Sequence, residues 1–519
     1  MNEVFTAALA HVFEPYVLLV IFASAVYGIF VGAIPGLTAT MAVALLVPLT
    51  FFLSDVAAIA AIVTTVTCSI FAGDIPATLV RIPGTPASAA YANDAYALTQ
   101  RGRHEYALGV SLCFSVFGGL AGAVVLIAAA PQLAKVAASF TSYEYFWLYV
   151  LGLTCAAIVS DQSRLKGALA LMIGLLLSTV GLGTDYGQPR LTFGYDELIT
   201  GINFIPAMIG LFGVSEILRG ALFLDRESGR RPVDAASSTG SRFARFAWHP
   251  VRALLAGVLP LAWRRKFSLL RSSLIGALVG MVPGAGGDIA AWISYAVSKR
   301  FARHPAEYGK GSIEGLGDAT GANNAALGGA WIPALVFGIP GDSVTAIAIG
   351  VLLMKNITPG PRIFDPTKDF DQAALVYSIY VVFILANLLL FPIGLVAIRA
   401  GALLVRISRR VLIPLIIVFC IVGAYAMNGS YFDVTVMLAM GVLGLLLEIF
   451  RVPLGPVVLG IILGTQVEHM FVQCITKSGS SVPAFFSSGI SIGLGASSVA
   501  LWLTPMLLRL VRGPEGEGK

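Results

Sequence analysis

A decapeptide occurs twice in this chain. Ile75–Gly84 reads IPATLVRIPG and Ile332–Gly341 reads IPALVFGIPG, six of ten positions being identical at an offset of 257 residues. A second echo precedes it: Gly32-Ala33-Ile34-Pro35-Gly36 returns as Gly280-Met281-Val282-Pro283-Gly284, at an offset of 248. Two matching sets of Pro-Gly restrict the chain to folds with an internal duplication. Each pair interrupts an apolar stretch, because proline lacks the N–H that a continuing helix needs. Paired breaks in corresponding apolar segments point to a transporter site built between repeats.

The apolar stretches set the solvent. Only 12% of the 519 residues are charged and 57% are hydrophobic, whereas a soluble domain carries about 25% charged residues. Segments 107–130, 146–159, 167–180, 376–398, 411–426 and 434–450 reach or approach the ~20 residues that cross ~30 Å of hydrocarbon. They lack the alternation of a membrane barrel, and lipid excludes open sheet edges. The expected fold is all-α, a polytopic membrane protein. Met1–Val12 has no basic n-region, so the first apolar segment is expected to insert and stay. The five cysteines are scattered singly with no CxxC, which reads as buried small residues rather than a disulfide or metal framework. The formal net charge of +6 lies in loops, where it signals orientation and not nucleic acid.

Basic residues crowd a central linker (Arg226, Arg230, Arg231, Arg242, Arg245, Arg252, Arg264, Arg265, Lys266), which the positive-inside rule places in the cytoplasm. The first Pro-Gly element, about Tyr16 to Leu53, is flanked by Glu3, Glu14 and Asp55. Its echo, about Ser268 to Val297, is flanked by Arg264, Arg265, Lys266 and Arg271 and by Lys299, Arg300 and Arg303. Each copy has one charge character at both ends, and the two differ. This predicts two re-entrant hairpins dipping from opposite faces, within inverted-topology repeats. The alternative is two ordinary spans per hairpin, since Pro and Gly also occur in membrane helices. Threading the remaining loops predicts about eleven spans plus the hairpins, with the N-terminus outside and the C-terminus inside. The predicted organisation is residues 1–224 as first repeat, 225–267 as linker, 268–475 as second repeat, and 476–519 as terminal helix and polar tail.

Broken helices expose N–H ends that suit anions and C=O ends that suit Na⁺. Polar residues cluster at the four breaks, and intramembrane polar groups are functional candidates. The predicted substrate- or ion-binding set is Gly36, Thr38 and Thr40 at the first; Asp74, Thr78, Arg81, Gly84, Thr85, Ser88 and Asn93, beside Asp94, at the second; Gly284, Gly286 and Asp288 at the third; and Asn323, Asn324, Gly341, Asp342, Ser343 and Thr345, beside Asp318 and Thr320, at the fourth. Helix capping is the competing role for each Thr, Ser and Asp. Arg81 suits a carboxylate, or snorkels to the surface. Glu216, Glu448, Glu468 and His469 are weaker candidates for proton relay.

Two rival readings exist. Tyr195-Asp196, Gly315-Leu316-Gly317-Asp318 and Pro333-Ala334-Leu335 follow the motif order of intramembrane aspartyl proteases. Asp196, however, falls in a polar stretch on the predicted outer face and Asp318 near the inner end of a span. A passive channel is the other rival; paired hairpins in inverted repeats favour a carrier.

Gly32–Thr38, Ile82-Pro83-Gly84-Thr85-Pro86, Gly280–Arg300 (GMVPGAGGDIAAWISYAVSKR), Ala322-Asn323-Asn324-Ala325 and Gly338–Ser343 resemble the large membrane subunit of the tripartite tricarboxylate transporters, the TctA family, over about residues 16–475. The resemblance implies a non-enzymatic secondary transporter of the bacterial inner membrane. Its implied partners are a small membrane subunit and a periplasmic solute-binding protein that delivers an organic, carboxylate anion. It implies cation symport with Na⁺ or H⁺, the Na⁺ held at the same loops, and no organic cofactor or ATP. The chain has no Walker A motif, which fits. It departs from the family pattern at Asp74, where a small residue or Ser is usual, and at Arg81, where Asn is common. Ala92–Tyr96, Leu316–Thr320 and Asp288 depart as well.

Overall fold

A computed structural model describes residues 2–35, 37–159, 163–183, 187–227, 257–405, 409–479 and 481–512. Gly36, Arg406, most of the basic linker and the polar tail lie outside the described residues. In chain order the helices are α1 (Asn2–Val12), α2 (Pro15–Gly32), α3 (Ala39–Thr50), α4 (Asp55–Ala72), α5 (Asp74–Val80), α6 (Ala92–Gln100), α7 (His104–Ala137), α8 (Ser142–Val159), α9 (Arg164–Ser178), α10 (Phe204–Met208), α11 (Ser215–Glu227), α12 (Lys266–Gly280), α13 (Gly286–Phe301), α14 (Ile313–Phe337), α15 (Ser343–Met354), α16 (Phe370–Leu404), α17 (Arg409–Asn428), α18 (Tyr431–Ile449), α19 (Leu454–Ser478) and α20 (Gly489–Arg512). A π-helical turn, Ile209–Val214, joins α10 to α11. Among the described residues the only strands are β1 (Gly181–Leu182) and β2 (Pro189–Arg190), an antiparallel pair. The chain is therefore all-α and multi-pass: among the described residues, seven helical stretches are long and apolar enough to cross a membrane.

Two compact units form, residues 1–135 with 205–445 and residues 136–204 with 446–519. The second unit is built on α8, α9, α19 and α20, with a bidentate Arg190–Glu468 ion pair at 2.9 and 3.0 Å. Glu468 is thereby held in a structural pair. All four Pro-Gly elements lie in the first unit.

Within that unit the sequence repeat reappears as a repeat of contacts. In the first copy α2 lies against α4 so closely that a methyl on Gly28 would sit 2.4 Å from the Thr65 carbonyl oxygen, and one on Gly32 2.5 Å from that of Ser69. In the second copy α12 lies against α14 in the same way: Gly276 faces Ala322 and Gly280 faces Ala326, each at 2.2 Å. The partners are displaced by 248 residues on the first helix and 257 on the second, the two offsets of the sequence echoes. Small residues permit backbone contact where lipid supplies no hydrophobic drive between helices. The helix ends repeat as well. The Ile82 N–H donates to the Pro76 oxygen and the Ile339 N–H to that of Pro333, and Arg81 and Gly338 both adopt left-handed backbone, at φ 58° and 68°.

The two copies run in opposite directions. Phe71 meets Gly394, and Ile75 and Leu79 meet Gly401, so α4–α5 runs parallel to α16. Leu112 meets Gly394 while Gly119 meets Asn387, so α7 runs antiparallel to α16. Gly118 meets Gly321 and Gly122 meets Ala325, so α7 runs parallel to α14. The equivalent helices α4 and α14 are hence antiparallel.

One expectation needs qualifying. A span over about 318–338 is matched in position by α14, yet α14 is not among the seven helices apolar enough to cross alone. Every residue from Gly315 to Phe337 is buried. Polar Asp318, Thr320, Asn323 and Asn324 share it with small residues because protein, not lipid, surrounds all its faces.

Candidate functional site

The second-copy tip is the best-defined part of the site. Pro283 stops α12, and the chain turns through Gly284 and Gly286, at φ 81° and 56°, conformations that glycine adopts without strain. Four contacts then fix the start of α13. The Gly284 N–H donates to the Gly341 oxygen at 2.8 Å. Gly286 lies over Asp342, and Gly287 over the Asn323 side chain with its Oδ1 foremost. Finally Asp288 accepts the Ala87 N–H at 3.0 Å, tying the second-copy tip to the first-copy 3₁₀ turn Ala87–Ala90.

The segments after the decapeptides carry one device in two chemistries. Asp342 and Thr345 form a reciprocal capping box at the start of α15, at 2.7 and 2.9 Å. At the equivalent positions Thr85 and Ser88 accept each other's N–H groups, both at 3.2 Å. Capping, the competing role for these residues, is thus present in both copies. The close approach repeats too: Gly84 lies on Gly73, and Gly341 on Ala330.

Asp74 stands at the junction of α4 and α5 and is 2% exposed. It accepts hydrogen bonds from the hydroxyls of Tyr91 and Ser111. Tyr91 is itself fully buried, and the Asn323 side chain lies next to it. A chain of polar groups thereby runs from Asp74 through Tyr91 and Asn323 to the start of α13. Asn324, next on α14, is 2% exposed, and neither atom of its amide has a partner among the described residues. Such a group is costly to bury unless something pairs with it.

The structure brings Asp74, Gly84, Thr85, Ser88, Gly284, Gly286, Asp288, Asn323, Gly341, Asp342 and Thr345 into one connected set, with Ser343 opening α15 beside them. Thr78 is buried next door, its carbonyl accepting the Thr99 hydroxyl at 2.7 Å. Other predicted residues do different things. Arg81 is exposed, with Nε and Nη2 both donating to Asn93 Oδ1, at 3.0 and 2.7 Å. Thr38 caps α3 by accepting the Met41 N–H at 3.2 Å, and Thr40 makes no side-chain hydrogen bond among the described residues. Gly36 lies outside them.

Sequence reasoning missed Tyr91 and Ser111, and it underrated Asp94. That buried carboxylate accepts the N–H groups of Gly311 and Ser312, both at 2.8 Å, and the Tyr295 hydroxyl at 2.6 Å, so it braces the entry to α14. Asp318 is paired with Arg271 at 2.7 Å and accepts from Ser268. An acid so engaged is a poor half of a proton-sharing catalytic dyad. The connected set contains three carboxyls, Asp74, Asp288 and Asp342, and no basic side chain. No group of three His, Cys, Asp or Glu residues converges closely enough to hold a metal ion among the described residues.

Residues 18–459 match the tripartite tricarboxylate transporter TctA family. The chain belongs to that family. A protein of Agrobacterium vitis described as an uncharacterized 52.8 kDa protein in the TAR-I ttuC' 3'region is 34% identical over 490 residues, 94% of this chain and 93% of its own length. A second from the same organism, an uncharacterized protein in the TAR-II ttuC' 3'region, is 34% identical over 235 residues, 45% of this chain and 95% of its own. No solved structure matches. TctA membership makes the chain part of a tripartite transporter, with other subunits implied, and the apolar helices make it multi-pass.

Proposed function

We propose that this TctA chain is the large subunit of a binding-protein-dependent secondary carrier of the bacterial inner membrane, importing an organic carboxylate by cation symport. A small membrane subunit and a periplasmic solute-binding protein complete it. One observation carries the reading most: the tip Pro283–Asp288 meets both post-decapeptide segments and Asn323 in the interior of a unit whose equivalent helices run oppositely. That arrangement supports inverted repeats around a substrate site. In this reading α2–α3 and α12–α13 are re-entrant hairpins. The α3 helix, at 12 residues and ~1.5 Å per residue, is about 18 Å long, too short to cross ~30 Å of hydrocarbon. The full topology is about eleven spans and two hairpins, with the basic linker and C-terminus cytoplasmic and the repeats bounded as 1–224 and 268–475.

The electrostatics favour symport over uniport. An anionic substrate entering a cluster of three carboxyls with no basic side chain needs accompanying cations, because like charges in a low dielectric repel strongly. The substrate is expected to lie against the start of α13, the Thr85–Ser88 turn and Asn323, Asn324 and Ser343. The test is uptake of radiolabelled citrate, succinate and acetate by vesicles containing the complex, with and without Na⁺ and with a pH gradient imposed or collapsed. Accumulation of a carboxylate that depends on one of the gradients is expected. Accumulation of none, or equilibration that ignores both gradients, would defeat the reading, the second outcome in favour of a channel.

A further inference from the structure

We propose that Asp74 is the site where this carrier binds its co-transported proton, and that Tyr91 passes the protonation state of Asp74 to Asn323 at the start of α13. The proposal rests on the symport reading above and deepens it by naming the cation and its place.

Three observations support it. First, Asp74 is buried in a bundle interior, where an ionisable group marks an ion or proton pathway by default. Second, no cation pairs with it among the described residues. From the α6 side it faces Tyr91, with Asp288 beyond that ring. From α7 it faces Ser111; the neighbouring Leu108 and Leu112 are apolar, as are Phe71 and Ile75 on its own α4–α5 and Leu390, Ala397 and Ile398 on α16. The one basic residue of α16, Arg399, has no hydrogen bond or ion pair with Asp74 among the described residues. Third, the feature belongs to one copy only. The position 257 residues on is Trp331, also buried and not ionisable, so the second copy has no ionisable group at the equivalent position.

The relay follows from donor and acceptor counting. An ionised Asp74 only accepts, so Tyr91 and Ser111 must both donate to it. The Tyr91 oxygen is then open to a donor, which the neighbouring Asn323 amide supplies in this proposal through Nδ2, its Oδ1 being turned to Gly287. One proton arriving on Asp74 converts a carboxylate oxygen into a donor toward Tyr91. The Tyr91 hydroxyl hydrogen turns to Asn323, whose amide rotates to accept it. Nδ2 then faces the start of α13 in place of Oδ1. No other proton is gained or lost, and no bond but the carboxyl O–H forms. Protonation thus replaces an acceptor by a donor beside a helix N-terminus, which favours an anion there. Proton and carboxylate bind together, which is what symport requires.

Two measurements test this on the full complex. Infrared titration of the purified protein should show a protonated-carboxyl band that titrates with pH, is absent from Asp74→Asn and persists in Asp288→Asn. In right-side-out vesicles without Na⁺, an inward proton gradient should drive carboxylate accumulation. Asp74→Asn should lose about tenfold or more of it. Tyr91→Phe should keep the titrating band at an altered frequency and lose gradient-driven accumulation, which covers the case where Asp74→Asn folds poorly. A wild type with no band assignable to Asp74, or accumulation driven by Na⁺ alone at wild-type rates in Asp74→Asn, overturns the proton assignment and leaves the carrier intact. A wild type that neither accumulates nor exchanges any of citrate, succinate and acetate overturns the carrier reading instead.

Discussion

Gly286→Ala is expected to break the joint between the two halves of the site. Gly286 opens α13 at φ 56°, and a methyl on it would lie 2.9 Å from the Asp342 Cβ, where carbon atoms normally rest about 3.5–4.0 Å apart. Two costs add. Left-handed backbone costs an L-residue about 1–2 kcal/mol, and overpacking a filled site about 1–3 kcal/mol, for about 2–5 kcal/mol together. Neither relaxes easily, because Asp342 is fixed by its capping box with Thr345 and by the Gly284–Gly341 bond next to it. Gly102 separates the terms: it has φ 73° with nothing within 4 Å of an added methyl, so Gly102→Ala carries the backbone cost alone. Denaturation of the purified variants in detergent should place Gly286→Ala about 1–3 kcal/mol below Gly102→Ala. Carboxylate uptake should be lost in the first and kept in the second. Equal stabilities together with normal uptake by Gly286→Ala would refute the described joint.

Other expectations follow from the same contacts. Arg81→Gly removes left-handed strain and should raise stability by about 1 kcal/mol; a fall in the melting temperature would mean that the Arg81–Asn93 bonds outweigh the strain. Asp94→Ala leaves two backbone N–H groups and the Tyr295 hydroxyl unpaired at the entry to α14, and should cost about 3 kcal/mol or more in the same denaturation assay. Gly280→Ala presses a methyl to 2.2 Å from the Ala326 oxygen and should cost about 1–3 kcal/mol through separation of α12 from α14. Gly493→Ala, with nothing within 4 Å inside α20, should gain up to about 1 kcal/mol; an equal loss in both would rule out close helix approach as the cause.

The duplication was legible because Pro-Gly is a backbone event: it breaks a helix whatever surrounds it, so it leaves the same trace in sequence and structure. The left-handed cap at Arg81 was legible in principle, since aligning the copies sets it against Gly338, a residue suited to that conformation. Tyr91 and Ser111 were not legible. They reach Asp74 from the 3₁₀-turn segment and from α7, and neither position obeys a spacing tied to the decapeptide. Asp94 was visible as a charged residue but not as a brace, because its partners Gly311 and Ser312 lie more than 200 positions away and donate through backbone that any residue would offer. Arg81 and Asn93 are both polar and adjacent to a break in the sequence; that they satisfy each other at the surface is a matter of side-chain direction, which composition does not carry.

The complete enclosure of α14 bears on how the chain is made. A helix whose own side chains are too polar and too small for lipid gains little by partitioning into the bilayer alone, because insertion by the translocon follows apolar content segment by segment. Its stability in the membrane comes from backbone contact with α7 and α12, both of which are synthesised earlier. Nascent α14 is therefore received by a partly built bundle, and a substitution that loosens either earlier helix would be felt first as a failure of membrane integration during translation, before any transport step is reached.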